Sequence, residues 1–153
     1  GYQGERRVDA IAETVERVSV PVIANGDICS VQDARRMFDE TGCAGVMVGR
    51  GAIRNPWLPL QISQFLRGLE PTAPSRTQRH QMLHHYFEQI LNVYPKRTGR
   101  VGRMKMVIRF TAESLADGAR LKAMALPMKT RGDVLNAVDR FFMEPTTASC
   151  EAP

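Results

Sequence analysis

No apolar run in this chain approaches the ~20 residues that a membrane-spanning helix needs. The amino terminus, GYQGERRVDA, is charged at once and lacks the apolar stretch of a secretory signal. Cysteine is scarce: Cys29, Cys43 and Cys150 form neither a CxxC pair nor a disulfide framework. A disulfide scaffold is therefore excluded, and a reducing cytosol is the expected compartment. There is no initiator Met and the chain starts mid-pattern, so an upstream portion is expected. Acidic residues are nearly missing from one long stretch. From Arg76 to Arg109, eight Lys or Arg stand against Glu88 alone, a net of +7 in 34 residues, whereas residues 1–68 carry eight Arg and eight acids. Charge segregated in this way points to a polyanionic partner for the second half.

What is present fits one ordinary domain, or a part-domain with a small one appended: 153 residues, 43% hydrophobic and 24% charged. Helical spacing of Val8, Ile11, Ala12, Val15 and Val18 predicts a helix over 5–18. A strand follows over 20–24, with Pro21 early in it, where a missing amide does least harm. Ser30, with Asp33 three residues on, reads as a helix N-cap. Ala34, Met37 and Phe38 form the apolar stripe of that helix, and Gly42 closes it. A second strand over 44–48 is apolar throughout, as expected where both faces are covered. A short helix carries Leu58, Ile62, Phe65 and Leu66, and GLEPTAPSR at 68–76 is the natural boundary. Beyond it the periodicity is helical. Leu83, Tyr86, Ile90 and Tyr94 lie on one helix, stopped by Pro95. Met104, Val107, Ile108 and Leu115 lie on a second, and Val134, Leu135, Val138, Phe141 and Phe142 on a last one capped near Thr130. The tail from Glu144 is expected to be disordered.

Two runs, PVIANGD at 21–27 and GVMVGRG at 45–51, each end a buried strand on a glycine-containing turn followed by a helix. Ligands bind at the carboxyl ends of parallel strands, where adjacent backbone amides and a helix start cradle phosphate. Arg50 sits at such an end with a bidentate donor fork. Either turn alone could simply end a strand. The two together, each at a strand end, are read as a phosphate site made by Asn25, Gly26, Asp27, Gly49 and Arg50, although Asp27 could instead tie down its own turn. Two βα units cannot bury their own strands, and a (β/α)8 barrel takes ~250 residues. The fold class is therefore α/β, with 1–68 as the last βα units of a TIM barrel, 69–75 as linker, 76–143 as an appended all-helical bundle and 144–153 as tail.

In the bundle, KRTGRVGRMK at 96–105 sets its bases around a glycine loop that opens a helix. Lys96, Arg97, Arg100, Arg103 and Lys105 are the candidates for RNA phosphate contact; a solvated helix face is the bland alternative. Tyr94 and Phe110 could stack on bases, but core packing is preferred for both. Asn55-Pro56-Trp57 reads as a structural corner with Trp57 in the core. His80 and His84 have the i, i+4 spacing of metal ligands, yet no third ligand is evident beside them, so no metal is expected and His80, His84 and His85 are assigned an exposed or interfacial role.

YxG at 2–4, PVIANGDI at 21–28 and GVMVGRGAIRNPWL at 45–58 together resemble the C-terminal part of a tRNA-dihydrouridine synthase, including the 24-residue spacing from Asn25 to Gly49. RMKMVIRF at 103–110 resembles, less specifically, the basic helix of that family's tRNA-binding domain. The resemblance implies a TIM barrel holding FMN and a helical domain that clamps tRNA. NADPH reduces the flavin, hydride passes to uracil C6, and a cysteine acts as acid at C5. Asn25, Gly26 and Asp27 carry over as FMN contacts and Gly49 and Arg50 as the phosphate grip. The acid cysteine falls upstream in the family pattern, and Cys29, Cys43 and Cys150 do not take its place, so the chain alone is expected to be inactive. ERRVDAI departs from the acidic-tryptophan pattern expected after YxG, which places the chain in a divergent branch. Two other readings stay open: a different FMN- or phosphate-binding TIM-barrel oxidoreductase, or a non-catalytic tRNA-binding remnant.

Overall fold

The computed structural model describes residues 7–94 and 99–144. The chain divides into two compact units, Gly1–Thr72 and Ala73–Pro153. The YxG motif, Lys96, Arg97 and the tail beyond Glu144 lie outside the described residues.

The first unit runs α1 (Val8–Arg17), β1 (Ile23–Asn25), α2 (Val31–Thr41), β2 (Gly45–Met47), α3 (Arg50–Arg54) and α4 (Leu58–Leu66). The start of α2 is fixed locally. Ser30 Oγ accepts from the Asp33 amide at 3.0 Å, while the Asp33 carboxylate accepts from the Cys29 amide at 3.2 Å and the Ser30 hydroxyl at 2.8 Å. Gly42 ends α2 with φ +66°, the left-handed conformation that costs glycine least. β1 and β2 pair in parallel with Ile23 opposite Gly45, Ala24 opposite Val46 and Asn25 opposite Met47. Ala24 faces a cluster with Met37 and Cys43, on which Ile11 and Val15 of α1 pack. Ile28, Ala34, Leu58 and Ile62 form a second cluster, joined by Val46.

The strands are shorter than the apolar runs that predict them, and they are not covered on both faces. Ile23 is 60% exposed and Met47 53%. The helices pack on the Ala24 and Val46 side, so the alternate residues face outward. Asn55 turns the chain into α4: its Oδ1 accepts from the Trp57 amide at 3.3 Å and its Nδ2 donates to Gln61 Oε1 at 2.7 Å. The corner is there, but Trp57 is half-buried rather than core.

The second unit holds α5 (Arg76–Val93), α6 (Arg100–Ala112), α7 (Gly118–Ala125) and α8 (Arg131–Met143) around one core, with Leu83, Phe87, Met104, Ile108, Leu121, Val134, Val138 and Phe141 at its centre. Ser75 and Gln78 form a reciprocal capping box at the start of α5, and Thr130 Oγ1 accepts from the Asp133 amide at the start of α8. Leu115 is not on α6. That helix stops at Ala112, and Leu115 lies in the turn that leads to α7, a helix the periodicity does not separate. A Cβ on Gly118 would fall 1.8 Å from the Ala112 carbonyl oxygen, so only glycine allows α7 to start there.

Candidate functional site

The parallel register carries the carboxyl ends of β1 and β2 to the same edge of the sheet. Asn25 closes β1, Gly26 and Asp27 turn away from it, and Gly49 and Arg50 follow β2 after Val48. Two short stretches more than 20 positions apart in the chain are thus grouped by one strand pairing. Asp27 takes φ +42°, a left-handed conformation to which aspartate is better suited than most residues. Its carboxylate does not tie down its own turn: Asp27 Oδ1 accepts from Arg50 Nη2. The pair is half open to solvent, with side-chain exposures of 58% for Arg50 and 43% for Asp27.

The two glycines of GRG do different work. A Cβ on Gly49 would meet nothing within 4 Å, so the backbone there faces open space. A Cβ on Gly51 would fall 2.1 Å from the Ile28 carbonyl oxygen and 3.0 Å from Leu58 Cδ2. Gly51 is therefore required by close packing of α3 against the loop after β1, whereas Gly49 leaves a surface a ligand can approach. On the other side of that loop, Arg54 Nη1 lies 3.3 Å from Cys29 Sγ, and Cys43 is buried.

In the second unit, several basic side chains are engaged within the fold. Arg76 stacks over Phe141 and Phe142 at 4.5 and 5.2 Å, pairs with Asp117 at 3.1 Å, and donates to the Phe141 and Phe142 carbonyls at the end of α8. Arg79 Nη1 donates to Ser114 Oγ at 3.0 Å, and burial pushes its guanidinium below the ordinary arginine value. The count of +7 thus overstates the charge on offer to a partner. At the start of α6, Arg100 donates to the Tyr94 carbonyl at 2.6 Å, and Arg103 lies over the Tyr94 ring at 3.8 Å. Tyr94 is 38% exposed, so it is not core: it is the platform under Arg103. Lys105 and Phe110 are half-buried and Arg109 is exposed. Gly99 gives α6 no side-chain cap, and its first turn holds no acid.

Sequence spacing gives His80 and His84 no third companion, but the fold does. Asp139 Oδ1, on α8, lies 2.7 Å from His80 Nε2 and 2.6 Å from His84 Nε2, while His85 is exposed. Burial alone would raise the Asp139 carboxyl, yet hydrogen bonds from both imidazoles and their positive charge hold it below the ordinary carboxylate value. No local signal could reveal this residue, because it is 55 positions from His84. Among the described residues no helix is long and apolar enough to cross a membrane.

A family model described as dihydrouridine synthase matches residues 1–145. A probable tRNA-dihydrouridine synthase of Rickettsia prowazekii is 32% identical over 149 residues, covering 97% of this chain and 45% of the relative. One from Rhodobacter capsulatus is 43% identical over 104 residues, covering 67% and 32%. A tRNA-dihydrouridine synthase B of Shewanella oneidensis is 41% identical over 86 residues, covering 55% and 27%. The chain therefore spans less than half the length of these curated relatives.

Proposed function

The chain belongs to the dihydrouridine synthase family, and from that premise we propose that it forms the carboxyl-terminal part of an FMN-dependent enzyme that reduces uridine to 5,6-dihydrouridine in tRNA. One observation carries the reading: the parallel pairing of β1 and β2, which sets Asn25, Gly26 and Asp27 beside Gly49 and Arg50. The open space at Gly49 and the exposed guanidinium of Arg50 fit a phosphate. Gly49 and Arg50 would grip the FMN phosphate, with Asn25, Gly26 and Asp27 as further FMN contacts. Asp27 would keep the Arg50 fork oriented, since it engages one terminal nitrogen of five donor N–H groups.

Bound flavin supplies the hydride chemistry, with NADPH as reductant, and this chain's part is to bind and orient it. Neither Cys29 nor Cys43 is assigned an acid role: one lies against Arg54 and the other is buried. The uncovered apolar sheet face, with Ile23 and Met47 outward, supports residues 1–68 as βα units of a TIM barrel whose interior that face would line. Residues 69–75 are read as linker, 76–143 as the tRNA-binding bundle and 144–153 as tail.

The start of α6 supports RNA contact. Two arginines at a helix N-terminus oppose the macrodipole at roughly 0.3–1 kcal/mol each. A backbone phosphate would reverse that and cap amides that have no side-chain cap among the described residues. Arg100, Arg103 and Lys105 are the proposed contacts, with Lys96 and Arg97, which precede them in the sequence. A reducing cytosol is the proposed compartment.

The test uses the longer protein that carries this sequence. It should purify yellow, bleach with NADPH and regain its colour on adding unmodified tRNA. A colourless protein that still binds tRNA would overturn the flavin reading in favour of a binding remnant. A yellow protein indifferent to tRNA would reassign it to small-molecule oxidation chemistry.

A further inference from the structure

One cluster in the second unit serves neither the flavin site nor the RNA surface. His80 and His84 stand one turn apart on α5, and Asp139 reaches them from α8. Both Nε2 atoms lie within 2.7 Å of one carboxylate oxygen and 3.1 Å from each other. The rings cross at 88°, so the two nitrogens approach that oxygen from different directions.

Protons cannot satisfy all three contacts. Each Nε2 carries at most one hydrogen. If both donate to Asp139, two N–H groups lie side by side across the 3.1 Å gap. If one gives up its hydrogen to accept from the other, its lone pair faces the carboxylate oxygen at hydrogen-bond distance. A cation at the centre satisfies all three lone pairs together.

We propose that His80, His84 and Asp139 form a binding site for a divalent first-row transition metal, with Zn²⁺ the best match. Two imidazoles and a carboxylate are a donor set suited to that class. Bonds of ~2.0–2.2 Å at roughly 90–110° put neighbouring donor atoms about 2.9–3.5 Å apart. The His80–His84 edge already lies in that range, and the two edges to Asp139 need to open by about 0.2–0.9 Å, which side chains with exposures of 20%, 36% and 33% can supply. The same exposure gives an ion a way in and leaves its other positions to water. Phe142 stacks on the His80 ring at 5.2 Å and limits its rotation. A bound ion would clip α5 to α8 across nearly 60 residues of chain, a structural staple for the helical unit.

The experiment takes the full 153-residue chain, stripped with chelator, and titrates it with ZnCl₂ by calorimetry and thermal unfolding, with CoCl₂ as the spectroscopic probe. One saturable equivalent is expected, with a raised unfolding midpoint and a visible Co²⁺ absorption that Zn²⁺ displaces. Asp139→Asn and His84→Gln should each weaken binding by more than the ~10-fold typical of an outer-shell loss, while His85→Gln leaves it unchanged. No saturable binding, or an affinity in Asp139→Asn and His84→Gln equal to that of the unaltered chain, would overturn the site. Should those variants fail to fold, histidine-selective acylation of the unaltered chain decides. Zn²⁺ must protect His80 and His84 and leave His85 reactive; equal reactivity at all three refutes the proposal.

Discussion

The two glycines of the GRG turn make opposite predictions, and the only tryptophan of the chain can read them. Gly51→Ala places a methyl group 2.1 Å from the Ile28 carbonyl oxygen, 3.0 Å from Leu58 Cδ2 and 3.1 Å from Cys29 Cα. Two of those atoms are backbone, so no side-chain rotation relieves the clash, and α3 must move by about 1 Å to regain ordinary van der Waals separation. Overpacking of that kind costs about 1–3 kcal/mol, and the backbone neighbours place it at the upper end. Alanine recovers up to ~1 kcal/mol of helix propensity, leaving a net destabilisation of about 2 kcal/mol. With a urea slope near 1 kcal/mol per molar for so small a unit, the midpoint should fall by about 2 M. Trp57 lies one residue before Leu58 and within the same unit, so its fluorescence follows this transition. Gly49→Ala meets nothing within 4 Å and should stay within about 0.5 kcal/mol of the parent. Equal midpoints for the two variants, or a larger fall for Gly49→Ala, would refute the division of roles between packing and ligand approach.

Arg50→Ala in the longer protein should weaken flavin retention. A charge-assisted hydrogen bond is worth about 1.5–3 kcal/mol, and the exposure of Arg50 favours the lower end, so a fall of about tenfold in affinity is expected by fluorescence titration; unchanged flavin content would remove Arg50 from the site. Arg100→Ala with Arg103→Ala should flatten the dependence of log K on log salt for tRNA binding by roughly 0.7–0.9 for each phosphate that is no longer neutralised. Filter binding over a salt series checks this, and an unaltered slope would remove Arg100 and Arg103 from the RNA contact.

Local chemistry was legible wherever its partners are close in the chain. Ser30 and Asp33 cap α2, Gly42 ends it in the left-handed region and Thr130 caps α8, because each device spans three or four residues. Helix α7 escaped because it is eight residues long and starts at a glycine, which in a sequence reads as a break. The reason for that glycine, the Ala112 carbonyl, belongs to another helix. Coverage of the strands is likewise not fixed by local sequence. An apolar run reports that side chains seek burial, and the number of layers available to bury Ile23 and Met47 depends on what packs beside them.

The candidate sites show the same division. The sequence by itself determined which residues stand at the strand ends, how charge is shared between the two halves and the i, i+4 pairing of His80 with His84, since all of these follow from composition and short-range period. Tertiary structure alone decided that Arg50 meets Asp27, that Arg103 lies over Tyr94, that Arg76 is spent on the end of α8, and that Asp139 completes a triad with the two histidines. Strand register and helix packing bring together groups up to 66 residues apart. No propensity or spacing rule acts over such a distance, because the choice among partners is made by burial of the whole core.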